Sequence, residues 1–221
     1  MASIIYSAAK PIVAASLHLL CRWKVTGKID RLPDDMVIVV SNHLSWVDIP
    51  LLGVSLPRRI VFMGKKEYYR SPFHRFLMRT LGGFTVERGT ADMTAFRMAD
   101  EALRSGCVLG IFPEGTRSRT FQLQPGHRGT AYVALRNNAY ILPVGISGTE
   151  KIRQRYENDN KMKLFYRPEV TVNMGEPFKL PQVDGRPGRA ELTSSTETIM
   201  RQLAQLLPDD YRGVYGNHAT D

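Results

Sequence analysis

The chain holds only two cysteines, Cys21 and Cys107, far apart and in apolar surroundings. Such a pair supplies neither a disulfide framework nor the paired spacing of a zinc site. It fits a reducing compartment, and both thiols are expected to be buried and unreactive. Long uninterrupted apolar runs are missing too. Residues 4–20, IIYSAAKPIVAASLHLL, are largely apolar but carry Lys10 and His18 and are broken by Pro11. A membrane-crossing helix takes about 20 mostly apolar residues, and proline removes a hydrogen bond from any helix interior. Lys10 is also misplaced for a secretory leader, whose positive charge precedes its apolar stretch. The expectation is an interfacial helix or helical hairpin on a membrane; the alternative is a helix packed on the protein's own surface. Acidic residues are outnumbered, 21 to 30, for a net charge of +9. Basic chains meet nucleic acid, anionic membranes or acidic substrates. No zinc-finger spacing, RRM aromatic signature or basic zipper is present. Because basic residues run beside apolar segments, an anionic membrane surface is the expected partner and nucleic acid is not.

What is present suits one substantial core: 221 residues with 43% apolar content. No internal repeat, low-complexity tract or linker divides the chain. Short apolar runs at 37–40, 59–63, 84–86, 108–112, 140–146 and 170–173 are candidate strands. Helical patterns cover 48–54, 71–81, 92–104, 128–137 and 190–207. In the third of these Met93, Phe96, Ala99 and Leu103 recur at helical spacing, with Thr90 to cap the helix and Gly106 to end it. The alternation predicts an α/β fold: a central, mostly parallel sheet flanked by helices, with an N-terminal apolar helical segment. Residues 1–25 are expected to be the membrane-associating helical segment and 26–221 the α/β domain.

Polar clusters follow three of the candidate strands. Residues 41–48 read SNHLSWVD, 87–89 read ERG and 113–118 read PEGTRS. Open parallel sheets bind ligands beyond the carboxyl ends of their strands, so parallel strands would deliver all three clusters to one edge. His43 and Asp48 are five residues apart, a poor spacing for one helix face. The pairing works if His43 sits on the turn leaving the strand and Asp48 in the first helical turn. Asp48 would then accept from one imidazole nitrogen, leaving the other free to take a proton from a substrate hydroxyl. No serine or cysteine is paired with His43 as nucleophile. Core packing remains open for the pair; a metal site lacks further ligands, since His74 and His127 have no acidic neighbours.

In FPEGTRS, Gly115 lets backbone N–H groups approach a ligand. Thr116 and Ser118 offer hydroxyls, and Arg117 a planar fork suited to phosphate. Glu114 is expected to orient Arg117 or another base. Arg88 stands between tight turns as a second anion-binding candidate. Lys65 and Lys66 are expected at the membrane or at a substrate headgroup. Trp46 is expected in the core.

Together these residues resemble the glycerolipid acyltransferase family, best known for the 1-acylglycerol-3-phosphate acyltransferases. NHLSWVD resembles that family's first block, a His-x4-Asp motif. GGFTVERG resembles the second, ending in Arg88; FPEGTRS agrees with the third without substitution; ILPVGISG resembles the fourth, centred on Pro143. The likeness spans roughly residues 36–148 and departs at Thr85, where an aromatic or aliphatic residue is commoner. It implies transfer of an acyl group from acyl-CoA or acyl carrier protein, as co-substrate and with no cofactor, to the hydroxyl of a lysophospholipid. In that reading His43 is the general base and Asp48 orients it. Arg88, Glu114, Gly115, Thr116 and Arg117 hold the acceptor phosphate, and Lys65 or backbone amides near Gly115 meet the developing oxyanion. The resemblance further implies a peripheral or monotopic protein on the cytoplasmic face of a membrane. Against it stand acylation of a different lysolipid, a non-catalytic membrane- or nucleic-acid-binding module, and a metal-dependent hydrolase.

Overall fold

A computed structural model describes residues 2–27, 32–65, 84–86, 93–154, 166–183 and 185–216. Among these, seven strands form one sheet: β1 (Arg22–Thr26), β2 (Val37–Ser41), β3 (Ile60–Lys65), β4 (Phe84–Val86), β5 (Val108–Ile111), β6 (Tyr140–Ser147) and β7 (Glu169–Met174). Their spatial order is β1-β7-β6-β2-β5-β3-β4. β2 pairs in parallel with β5 and β6, β3 with β4 and β5, and β1 with β7. Only β6 and β7 pair antiparallel. The helices are α1 (Ala2–Leu20), α2 (Asp48–Ser55), α3 (Met93–Arg104), α4 (Gly129–Asn137), α5 (Glu150–Gln154) and α6 (Arg189–Gln205).

β2 explains the layering. Its five residues, VIVVS, are all buried, as expected of a central strand covered on both faces. Successive side chains point to opposite faces. Val37 and Val39 enter a core with Leu17 of α1 and Leu51 and Leu52 of α2. Ile38 and Val40 enter a second core with Ala99 of α3, Ala131 of α4 and Met200 of α6. A helix layer therefore covers each face. Pro143 sits in β6 without breaking it. Its carbonyl accepts from Gly175 N–H at 2.9 Å, so its nitrogen faces the same side, just past the last β6–β7 pair, Val144 with Met174. The donor that proline lacks would face the Gly175 carbonyl, so the pairing forgoes one bond at its end rather than in its middle.

Every expected strand is present, with ends shifted by one residue or so. β1 was not anticipated: it is a short edge strand, largely exposed, with too few apolar residues to announce itself. The helix expected at 71–81 lies outside the described residues, as does Thr90. In α3 the buried stripe is Ala95, Ala99 and Leu103; Met93 faces solvent instead. Cys21 is buried, and burial raises its thiol to about 11, whereas Cys107 is only half-buried.

The N-terminal segment is one helix with Pro11 inside it, rather than a hairpin. The Tyr6 hydroxyl donates to the Gly53 carbonyl at 2.9 Å, and the Lys10 ammonium donates to the Leu56 carbonyl. Leu17 lies in the core while Leu19 is 74% exposed. β1 crosses the expected boundary at residue 25 and joins the sheet. Leu17→Ala is expected to cost about 2–4 kcal/mol, and Leu19→Ala less than about 0.5 kcal/mol, both read from urea unfolding curves.

Candidate active site

Because β2, β3, β4, β5 and β6 run the same way, their carboxyl ends lie along one edge of the sheet. The turn after β2 is built around Asp48, the first residue of α2. Its side chain is fully buried. Oδ2 accepts from His43 Nδ1 at 2.8 Å and from the backbone N–H groups of Leu44 and Ser45 at 2.7 Å each. Oδ1 accepts from the Thr149 hydroxyl at 2.6 Å. A carboxylate only accepts, so the bond assigns the proton of the neutral imidazole to Nδ1 and leaves a lone pair on Nε2. Nε2 has no partner among the described residues. The His43 side chain is 11% exposed. Its ring stacks on Phe112, with centroids 4.0 Å apart and planes 13° from parallel, and Phe112 rests in turn on Phe62.

The backbone of His43 is gripped by the loop after β5. Gly115, at a φ of +66° that favours glycine, closes a turn by donating its N–H to the Phe112 carbonyl at 2.9 Å. That turn aims Glu114 inward. Its Oε1 accepts from His43 N–H at 2.9 Å and its Oε2 from Gln124 N–H at 3.0 Å. Ser118 N–H donates to the His43 carbonyl at 2.8 Å. On the other side, the Asn42 amide exchanges two 2.8 Å bonds with the backbone of Ile146, extending the β2–β6 pairing with a side chain. Burial pushes the Glu114 carboxyl up to about 7; the N–H groups of Gln124 and His43 pull it back, and the charge of Asp48 pushes it up.

His43 and Asp48 thus stand as expected, one before the helix and one in its first turn. Thr116 and Arg117 are exposed on the same edge, and their backbone N–H groups have no partner among the described residues. Of the roles expected for Glu114, it takes that of holding another base, through the backbone N–H of His43. It is buried and joins two stretches of backbone, so it neither meets Arg117 nor presents itself to a phosphate, which a carboxylate would repel. Trp46 is also a correction: it is 46% exposed rather than in the core, because it falls on the outer side of the turn that Asp48 draws in. Lys65 is the last residue of β3, at this edge; its side chain lies outside the described residues, as does Arg88 entirely. Among the described residues no three His, Cys, Asp or Glu side chains gather as metal ligands. Sequence reasoning missed Thr149 and the aromatic seat of His43. The only hint of Thr149 was its place just after a buried strand and Gly148.

Residues 22–147 match the family model described as Acyltransferase. Over 184 residues the chain is 27% identical to the 1-acyl-sn-glycerol-3-phosphate acyltransferase of Bacillus subtilis, covering 83% of this chain and 87% of that one. Over 126 residues it is 35% identical to the lyso-ornithine lipid O-acyltransferase of Pseudomonas aeruginosa, covering 56% of this chain and 46% of that one. The fold is similar to the crystal structure of the 1-acyl-sn-glycerophosphate acyltransferase PlsC from Thermotoga maritima. The TM-score is 0.68 at 24% identity, covering 93% of this chain and 79% of that one. At that identity the likeness is one of fold.

Glu114 makes the site's stability depend on pH. Its carboxyl is held at about 7, above its ordinary value of 4.5, so the folded chain binds this proton more tightly than the unfolded one. The associated stability is fully present below the unfolded value and is lost as pH rises through the folded one. Glu114→Gln has no such proton. The difference in unfolding free energy, wild type minus variant, is expected to fall by about 2–3 kcal/mol between roughly pH 4.5 and pH 7.5, measured by urea unfolding across that range.

Proposed function

The chain belongs to the acyltransferase family, and from that premise we propose that it moves a fatty acyl group from an acyl thioester, CoA or acyl carrier protein, to the free hydroxyl of 1-acylglycerol 3-phosphate. The observation that carries the reading is the His43–Asp48 bond at 2.8 Å, which leaves Nε2 as the only basic position of the ring. In the proposed reaction Nε2 takes the acceptor hydroxyl proton as the oxygen attacks the thioester carbonyl carbon. Asp48 stabilises the imidazolium that forms. The tetrahedral intermediate expels the thiolate, which recovers the proton from His43. Ester and free thiol result. Backbone N–H groups of Thr116 and Arg117 suit either the oxyanion or the acceptor phosphate, and the Arg117 guanidinium suits the phosphate. Arg88 is proposed as its companion, from the motif alone.

A second acceptor class is favoured by one finding, the 35% identity to the lyso-ornithine lipid enzyme. The test is an acceptor panel. Purified protein in detergent receives labelled acyl-CoA or acylated carrier protein with 1-acylglycerol 3-phosphate, a lysophospholipid of larger headgroup, or lyso-ornithine lipid. Transfer to the first is expected; transfer to none, from either donor, overturns the enzyme reading. His43→Ala should abolish turnover with the fold intact, and Arg117→Ala should raise the acceptor KM several-fold with little change in kcat.

The proposed setting is the cytoplasmic face of an anionic membrane. No described helix is long and apolar enough to cross a bilayer. A lysolipid drawn wholly into water exposes its chain at about 0.8 kcal/mol per CH₂, so an enzyme resting on the bilayer avoids that cost. α1 offers a contact: Ile12 and Leu19 project to solvent from a helix that Tyr6 and Lys10 tie to α2 and its C-terminal end. Replacing both with serine is expected to weaken sedimentation with anionic vesicles severalfold while leaving transfer to detergent-dissolved acceptor unchanged.

A further inference from the structure

Thr149 belongs to no recognised block of the sequence, yet its hydroxyl makes a hydrogen bond of 2.6 Å to the buried carboxylate of Asp48. The two oxygens of that carboxylate are unequally served. Oδ2 has three donors, all from residues 43–45. Among the described residues Oδ1 has only Thr149, which arrives from 101 residues away. Both residues are wholly buried, so water cannot replace the hydroxyl. The chain is shaped to deliver it. β6 ends at Ser147, and Gly148 turns at a φ of +91°, where a Cβ would run into the Glu169 carbonyl oxygen. Thr149 then lies beneath the first turn of α2.

We propose that Thr149 is a positioning residue for acyl transfer: its hydroxyl fixes the rotation of the Asp48 carboxylate and thereby holds His43 in the Nδ1–H tautomer with Nε2 toward the acceptor. The inference rests on His43 being the base of the proposed reaction. Without the hydroxyl, Oδ1 is a buried charged oxygen with no donor, an arrangement a protein relieves by turning the carboxylate or protonating it. Either change weakens its hold on Nδ1–H. The loss falls on the imidazolium formed during reaction rather than on acceptor binding, so kcat carries it.

The experiment compares Thr149→Val, which keeps the shape and removes the donor, with Thr149→Ser, which keeps the donor. Long-range ¹⁵N–¹H NMR spectra report the His43 tautomer, and steady-state kinetics report kcat and the acceptor KM. The valine variant is expected to lose about ten- to a hundredfold in kcat, short of the ~10⁴ lost when an orienting aspartate is itself replaced. Its KM should stay within about twofold, and Nε2–H tautomer should appear in its spectrum. The serine variant should restore the Nδ1–H tautomer and most of kcat. An unchanged tautomer in the valine variant, or an unchanged kcat, overturns the proposal, as does a serine variant no better than valine. If the valine variant does not fold, Thr149→Cys, a weak donor of similar size, takes its place under the same criteria. If the wild type transfers no acyl group at all, the functional reading fails by itself, and the tautomer comparison still decides what Thr149 does to His43.

Discussion

A carboxylate taken out of water must be surrounded by donors, and the Asp48 side chain is fully buried. Unpaired, such a group costs several kcal/mol. Four donors answer it: two backbone amides, an imidazole and a hydroxyl. Satisfying them dictates the form of the turn between β2 and α2. The backbone of Leu44 and Ser45 must curl toward the first helical turn, and Trp46 is left on the outside. His43 must point its Nδ1 inward. Thr149 must be brought across from the neighbouring strand. The start of α2 also places the charge where the helix dipole favours it. The geometry on which the proposed catalysis rests is thus the same set of contacts that makes a buried charge tolerable.

The surrounding structure holds this arrangement by its backbone rather than by bulk. His43 is fixed at its N–H by Glu114 and at its carbonyl by Ser118 N–H, and its ring is seated on Phe112. The loop that supplies these groups is steadied by the C-terminal region. Leu123 N–H donates to the Tyr211 carbonyl at 2.8 Å, and the Tyr211 hydroxyl donates to Glu150, next to Thr149, at 2.6 Å. The loop after β5, which holds His43, and the turn after β6, which holds Asp48, are therefore tied to one segment. Glu150 Oε2 is buried without a partner among the described residues, so the support comes from the bonds named and not from satisfaction of every polar group. Nε2 is the one ring nitrogen that the described residues leave without a partner, and the proposed proton transfer takes place there.

Much of this was legible in the sequence because it rests on local chemistry. The apolar runs that become β2, β4 and β5 are short, and polar clusters erupt directly after them; that pattern implies a parallel sheet with a populated edge. The His43–Asp48 offset, awkward on a helix, is resolved by a strand-to-helix turn. What was not legible depends on partners distant in sequence. Glu114 reads as a charged residue beside Arg117, but Gly115 turns it inward to backbone groups of residues 43 and 124. Thr149 reads as an ordinary loop threonine, because its acceptor lies 101 residues earlier. Most of β1 was assigned to the N-terminal helical segment, since an edge strand is defined by its hydrogen-bonding neighbour and not by its own pattern.

By itself, the sequence determined the α/β class with its mostly parallel sheet, the family, and that His43 and Asp48 pair across a strand-to-helix turn. Periodicity and local turn chemistry carry that information, and both act over a few residues. The tertiary structure alone decided which donors complete Asp48, that Glu114 braces His43 instead of meeting a ligand, and that α1 lies against α2 with Leu19 facing outward. Those outcomes come from burial, which charges each unpaired polar group its full desolvation cost and so selects partners by proximity in the folded chain rather than along it.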